Sequence, residues 1–369
     1  MPDFRTPGLY VEETPTATRH TPPAATSELL ILDLDADGDA PQVAAIDGHA
    51  AYQAHFGDPA ARFAGRAAMH FFANGGRRAQ VAALPPDGAD TVARIGAAFA
   101  PDGVLDGIGF TLLCAPGLDD IAALHCLQAA CAQRQAFLIV DAPAQATDAE
   151  AIAHAIALSG DDAAYAALYH PWLCDAHGPC PPSGAVAGIY ARTDVERGVW
   201  KAPAGTGADL RGMAGVQRML DDRENETLNP HAVNAIRRMP RGLYVWGART
   251  LAGQDTLSSP FKYVPVRRLA SFLHASLAPA LAWTALEPNA PRLWSRVAVQ
   301  AGAFLDMLFR AGAFQGATPE RAYYVRCGSE TADAGAIARG EACLELGFAA
   351  LRPAEFVVLR LPLRTAGAA

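Results

Sequence analysis

Residue types capable of chemistry gather in three short stretches of the chain. Cys174-Asp-Ala-His177-Gly-Pro-Cys180 puts three soft metal ligands within seven residues. A closed zinc site takes four ligands, ordinarily from two well-spaced pairs, and no matching C-x-x-C or H-x-H segment occurs. The stretch reads as a loop with incidental thiols. Asp33-Leu-Asp-Ala-Asp-Gly-Asp39 has carboxylates at alternate positions and Gly sixth, like the first half of a calcium loop. Such a loop needs a bidentate Glu at its twelfth position, which is Ala44 here, and a helix leading in, where residues 29–32 read as strand. A solvated hairpin turn is the expectation. His170, in Tyr169-His-Pro-Trp172, falls at the C-terminal end of a strand, where α/β enzymes place catalytic groups. A hydrogen-bonded structural histidine is the favoured reading. The phosphate-binding pattern G-x-x-x-x-G-K-S/T, the dinucleotide pattern G-x-G-x-x-G, the nucleophile elbow G-x-S-x-G and the zincin pattern H-E-x-x-H are all missing. Gly107-Ile-Gly109 precedes a strand, whereas a dinucleotide fingerprint follows one. No catalytic, cofactor-binding or metal residue is therefore expected, and a soluble α/β enzyme with a non-standard site is the alternative.

The elements that would position such groups alternate regularly. Strands read at 29–32, 79–84, 110–114, 136–140 and 164–169, with helices at about 60–73, 89–99, 118–134 and 147–159. Short, continuously apolar strands separated by helices predict a mostly parallel sheet covered on both faces. Ser183 starts a further helix, and 201–235, rich in Gly, Asp and Asn, reads as a long surface segment. A second α/β region follows, with strands at 243–247, 321–327 and 342–349 and helices near 263–286 and 291–312. Tyr244, Trp246, Trp283 and Trp294 are expected in its core.

Both ends differ from this body. Residues 1–26 hold Pro2, Pro7, Pro15, Pro22 and Pro23, which exclude a continuous helix and favour an extended arm. Within the arm, Thr6-Pro-Gly8-Leu9-Tyr10-Val11-Glu12-Glu13 reads as one strand without a neighbour. Glu355-Phe356-Val357-Val358-Leu359-Arg-Leu361 reads as another. The fold class is mixed α/β, divided as an arm (1–26), an α/β domain (27–200), a second α/β domain (201–354) and a strand arm (355–369). Unpaired terminal strands expose backbone donors and acceptors, and donating them to a neighbour's sheet would use those groups.

Composition narrows the function classes. With 51% hydrophobic and 18% charged residues the chain is a globular one. Its net charge is −8, Lys201 and Lys262 are its lysines, and no Lys/Arg block exceeds two residues, which argues against nucleic-acid or membrane-surface binding. No uninterrupted run of eighteen apolar residues occurs, so no membrane insertion is expected. The start MPDFRTPGLY lacks a charged region followed by an apolar run, and the seven cysteines read as reduced thiols of a cytoplasmic product.

Several segments together resemble the contractile tail sheath proteins of myophages, R-type tailocins and extracellular contractile injection systems. The opening TPGLYVEE resembles the family's P-G-V/L-Y-V/I-E-E, and Phe71-Phe-Ala-Asn-Gly-Gly76 its F-F-x-N-G-G element. The most specific block is Ala166–Trp172 with Pro181–Tyr190 and Arg197–Pro203. Then come Asn234-Ala-Ile, Gly242–Leu251, Tyr263–Arg268, Glu287-Pro-Asn289, Leu293-Trp294 and Arg352–Val358. The chain is short for the family, without room for large protruding insertions. The resemblance implies a non-enzymatic structural subunit, assembled in the bacterial cytoplasm as a helical polymer of stacked rings around an inner tail tube protein. Baseplate and tail-terminator proteins, and sister sheath proteins, are implied as partners, with no cofactor. A sheath-terminating adaptor that forms no long tubes is a further alternative. The helix beginning near Pro291, with Arg292 and Arg296, is nominated for inner-tube contact, against pairing of these arginines within their own subunit. The Pro-rich Thr14–Thr26 is expected to serve as the pliable link between subunits.

Overall fold

A computed structural model describes residues 19–86, 88 and 90–366. The first half alternates as its apolar runs predict. β1 (Leu29–Asp33) and β2 (Gln42–Ile46) precede α1 (His49–Phe56) and α2 (Phe63–Ala73). β3 (Ala79–Ala83), α3 (Thr91–Phe99), β4 (Leu112–Cys114), α4 (Ile121–Arg134), β5 (Phe137–Asp141), α5 (Asp148–Ala157) and β6 (Ala166–His170) follow. Side chains at N-caps start these helices: Asp90, Asp120 and Thr147 each accept a bond from the backbone N–H three residues on. The hairpin β7 (Leu173–Asp175) and β8 (Gly178–Cys180) leads into α6 (Ser183–Arg197). The short β9 (Gly215–Val216) and α7 (Asp222–Leu228) then lead to β10 (Val233–Met239) and β11 (Gly242–Val245).

Eight of these strands make one sheet in the order β11-β10-β6-β5-β4-β1-β3-β2. The six inner strands are parallel, and β2 and β11 are antiparallel edges. Period-2 alternation deals the side chains to two layers. Leu29, Ile31, Val81 and Ile139 pack under α2 and α6, while Leu30, Leu32, Ala82 and Leu138 pack under α3 and α4. The sheet continues beyond residue 200, because the segment 201–235 that reads as surface ends in β10, whose Val233–Arg237 are buried. Tyr244 accordingly lies in this sheet, and Trp246 beside it is 37% exposed, so neither belongs to a second core. The acidic turn after β1 closes no hairpin either, since β1 and β2 flank β3 on opposite sides.

The second body packs α8 (Val264–Ala280) and α9 (Pro291–Arg310) on a sheet of β12 (Tyr323–Cys327), β13 (Glu341–Phe348) and β14 (Val357–Arg364). Leu273, Leu277, Val297, Leu305, Leu344 and Leu346 form its core, with Trp283 and Trp294 packed against it. The stretch Val264–Leu286 is long and apolar enough to cross a membrane. Its buried face, however, covers this core and carries the buried Arg267 and Arg268, as in the core helix of a water-exposed domain.

Candidate assembly surfaces

The two bodies meet at one buried ion pair. Arg268 on α8 reaches Asp194 on α6 through two bonds, Nη1 to Oδ1 at 2.8 Å and Nη2 to Oδ2 at 2.6 Å, both side chains under 5% exposed. The same Nη2 donates to the carbonyl of Thr26 at 2.7 Å, and the guanidinium stacks 4.9 Å from the Tyr190 ring. A bidentate guanidinium satisfies the carboxylate while holding a third segment. That third segment is the arm. Residues 19–26 do not hang loose: Thr21 is buried and its Oγ1 accepts from Gln300 at 3.2 Å, and Ala24 N donates to Ser276 Oγ at 3.0 Å. The extended backbone forecast for Thr14–Thr26 is therefore a docked strap from Arg19 onward. Side chains on α8 and α9 take up its polar groups, Ser276 as an acceptor and Arg268 and Gln300 as donors.

The strap runs to a corner it shares with the other end of the chain. Arg19 lies 4.6 Å from the Trp283 ring centroid and Arg296 lies 4.5 Å from it. Ala366 N donates to the Glu287 carbonyl at 3.0 Å, and Thr284 Oγ1 donates to the Arg364 carbonyl at 3.1 Å. Both ends of the described chain thus leave from the turn at 282–287.

Gly8, Leu9, Tyr10, Val11 and Glu12 lie outside the described residues. The C-terminal strand corrects its forecast. Val357, Val358 and Leu359 open β14, which pairs antiparallel with β13 over its whole length, from Phe348↔Val357 to Glu341↔Arg364. Glu355 and Phe356 lie just before it, and Phe356 packs edge-on against Tyr324, ring centroids 5.2 Å apart. The strand has a partner in its own chain because β13 offers two edges and β12 takes only one. The other edge of β14 faces no strand among the described residues. Val358, Arg360, Pro362 and Arg364 are exposed, Leu361 and Leu363 buried. Pro362 has no N–H to donate, a residue that sheets tolerate at edges.

Arg292 and Arg296 stand on the first turns of α9, and the structure separates them. Arg296 is engaged at home, with Glu287 at 2.9 Å and the Trp283 ring beneath it. Arg292 is exposed and has no ion pair among the described residues.

The chemical stretches resolve into structure. His170 is 1% exposed, with Nε2 3.4 Å from Asp148 Oδ1, and Asp148 is also held by Arg218 at 2.9 Å. Burial depresses its pKa, and the Asp148 carboxylate opposes this. A cleft of about 620 Å³ opens at the C-terminal ends of β1 and β4, where the strand order reverses and α/β folds bind ligands. Its ionisable lining is Asp33, Asp35, Asp37, Asp119, Arg62, Arg66 and Arg94. Arg62 holds Asp37 and the Asp35 carbonyl, and Arg94 donates to the Leu34 and Leu84 carbonyls at 2.9 and 2.8 Å. Arg62 thus binds the acidic turn and Arg94 the carbonyls that follow β1 and β3, while Arg66 is bound to Asp175, and no nucleophile–base pair lines the cleft.

Sequence motifs become legible as packing. Asn74, fully buried, donates to the His70 and Arg211 carbonyls at 2.9 and 3.1 Å and accepts from Arg211 N at 2.8 Å. Gly75 follows with φ +118°, and a Cβ there would stand 2.6 Å from Arg192 Cβ. Asn234 makes the same three-way link to Leu168 and Arg249.

The chain as a whole is similar to known proteins. A family model described as the phage tail sheath protein central domain matches residues 101–251. The helical sheath of the anti-feeding prophage in its contracted state is 31% identical, with 96% of this chain and 98% of that chain covered and a TM-score of 0.74. The sheath complex of the extracellular contractile injection system PVC, also contracted, is 28% identical over 96% and 97% of the two chains, TM-score 0.74. A chain of the anti-feeding prophage baseplate is 30% identical over 96% and 98%, TM-score 0.72. The sheath tail protein of Desulfitobacterium hafniense shares the fold at 8% identity, TM-score 0.67. No curated protein matches the sequence. With near-complete coverage at these identities, the chain belongs to the contractile tail sheath protein family, as a structural subunit of a phage tail or phage tail-like particle and not an enzyme.

Proposed function

We propose that this subunit polymerises into a helical sheath of stacked rings around an inner tube protein, and that the sheath shortens to drive the tube through a target envelope. The observation that carries this reading is the end-to-end likeness, at 31% identity, to a helical sheath in its contracted state. Similarity to a baseplate chain supports attachment of the polymer to a baseplate. Assembly takes place in the bacterial cytoplasm.

Subunits are joined by their arms. The strand Thr6–Glu13 of one copy adds to an open sheet edge of a neighbour, where backbone bonds supply affinity and alternating side chains the register. Donor and acceptor surfaces differ, so the contact is heterologous and propagates as an open helix. The docked strap supports this division of labour, since a link pinned at Arg19–Thr26 moves with its own subunit while the preceding residues reorient. The tube is gripped through the exposed side of α9 beginning at Arg292, by modest and reversible charge contacts. Electron microscopy of the purified full chain tests the reading: hollow tubes are expected, and a folded monomer that forms no tubes at any concentration or ionic strength would overturn it.

A further inference from the structure

The ligand-rich stretch 174–180 acquires a partner that its own spacing does not reveal. The register of β7 and β8 sets Leu173 opposite Cys180 and Asp175 opposite Gly178, so Asp175 and Cys180 project from one face of the hairpin. That face meets α2, where Arg66 and His70 stand one turn apart. His70 Nε2 lies 3.0 Å from Asp175 Oδ2, and a nitrogen of His70, an oxygen of Asp175 and the Cys180 sulfur all fall within 4.8 Å of one another. His70 is 8% exposed and Cys180 fully buried, and His70 Nδ1 is a buried atom without a hydrogen-bond partner. His177 is exposed, and Cys174 occupies the opposite face of the hairpin.

We propose that His70, Asp175 and Cys180 bind a divalent transition metal of the zinc class. One imidazole, one carboxylate and one thiolate form a mixed donor set that suits zinc or cobalt and not the hard, all-oxygen preference of calcium. Donors about 2.0–2.3 Å from such an ion lie roughly 3.3–3.8 Å apart, so His70 Nε2 and Asp175 Oδ2, now 3.0 Å apart, would part slightly and the Cys180 sulfur would draw in by about 1 Å. Carboxylate and thiolate together neutralise the ion. Arg66 grips Asp175 at both oxygens, with Nη2 2.7 Å from Oδ1 and Nε 3.0 Å from Oδ2, and Nη2 also donates to the Gly178 carbonyl at 2.8 Å. A carboxylate ligand fixed from behind by a donor is the usual outer arrangement around a bound metal. Three protein ligands leave one position for water, and the ion would clamp α2 to the hairpin that precedes α6.

The test uses the full chain, stripped with chelator and reloaded with cobalt(II) alone, followed by zinc competition. One ion per chain is expected, with thiolate-to-cobalt charge-transfer absorption, tetrahedral visible bands and a zinc-dependent rise in Tm. Cys180→Ser abolishes the charge-transfer band and weakens zinc roughly 100-fold or more, a loss at least as large as removing an outer partner, whereas Cys174→Ser keeps both. Absence of stoichiometric binding by folded wild-type chain would overturn the proposal, whether or not the variants fold. So would a charge-transfer band that survives Cys180→Ser.

Discussion

At the residue scale, buried polar groups hold the first body together, and they are the least legible features in the sequence. Asp141, at the end of β5, is 2% exposed and accepts from Ser183 N at 2.7 Å, Ser183 Oγ at 2.8 Å and Gly117 N at 3.1 Å. It thereby caps the start of α6 and ties down the loop after β4. Burial lifts its carboxyl to about 6, while those three bonds pull the other way. A folded-state pKa above the unfolded one means the native chain holds this proton more tightly. The group's contribution is greatest below about pH 4, falls as pH rises to about 6, and is flat above. Asp141→Asn turns an acceptor into a donor facing N–H and O–H groups, which costs on the order of 1–3 kcal/mol at neutral pH. The wild-type minus variant difference in unfolding free energy should shrink by on the order of 2 kcal/mol between about pH 4 and pH 6. Denaturant titration of both proteins across that range measures it. The residue types of Asp141, Asn74 and Asn234 are plain in the sequence. Their most distant partners lie 42, 137 and 66 positions away, which local pattern does not encode.

At the element scale, most of the fold is legible because parallel strands buried on both faces are continuous apolar runs between helical periods. The exceptions have physical causes. β10 hides behind a Gly- and Asp-rich approach, and its Arg237 is paired with Asp222 at 2.7 Å on α7, so a charged residue sits in a sheet strand. β14 reads as a lone strand because the connection 349–356 carries no short-hairpin signal. The block Pro181–Tyr190 is explained by contact between helices. A Cβ on Gly184 would lie 2.4 Å from Ala67 Cα, and one on Gly188 2.5 Å from the Phe71 carbonyl oxygen, so α6 and α2 touch backbone to backbone. Gly184→Ala is expected to lower stability by about 1–3 kcal/mol through overpacking. Gly302→Ala on α9, where nothing lies within 4 Å, should instead raise it by about 0.5–1 kcal/mol. Parallel denaturant melts of the two variants check both signs.

At the scale of the whole molecule, two bodies are locked by Arg268–Asp194 and by a strap that crosses from one to the other, with both described ends leaving beside Trp283. Removing one partner of a buried ion pair strands the other charge, a loss of about 3–5 kcal/mol, so this joint holds the two bodies together. A rigid subunit with a mobile connection is what a polymer needs if it is to change pitch without coming apart. The resemblance carried by the arm motif was legible in sequence, whereas the point at which the arm becomes anchored was not, because it depends on the acceptor Ser276 and the donor Gln300 far along the chain. The most direct measurement compares the full chain with a deletion of residues 1–13 by negative-stain electron microscopy, with circular dichroism and Tm as controls for folding. The predicted result is tubes from the full chain, and from the deletion a folded subunit of similar Tm that forms none. Tubes of normal length from the deletion would contradict assembly through the arm.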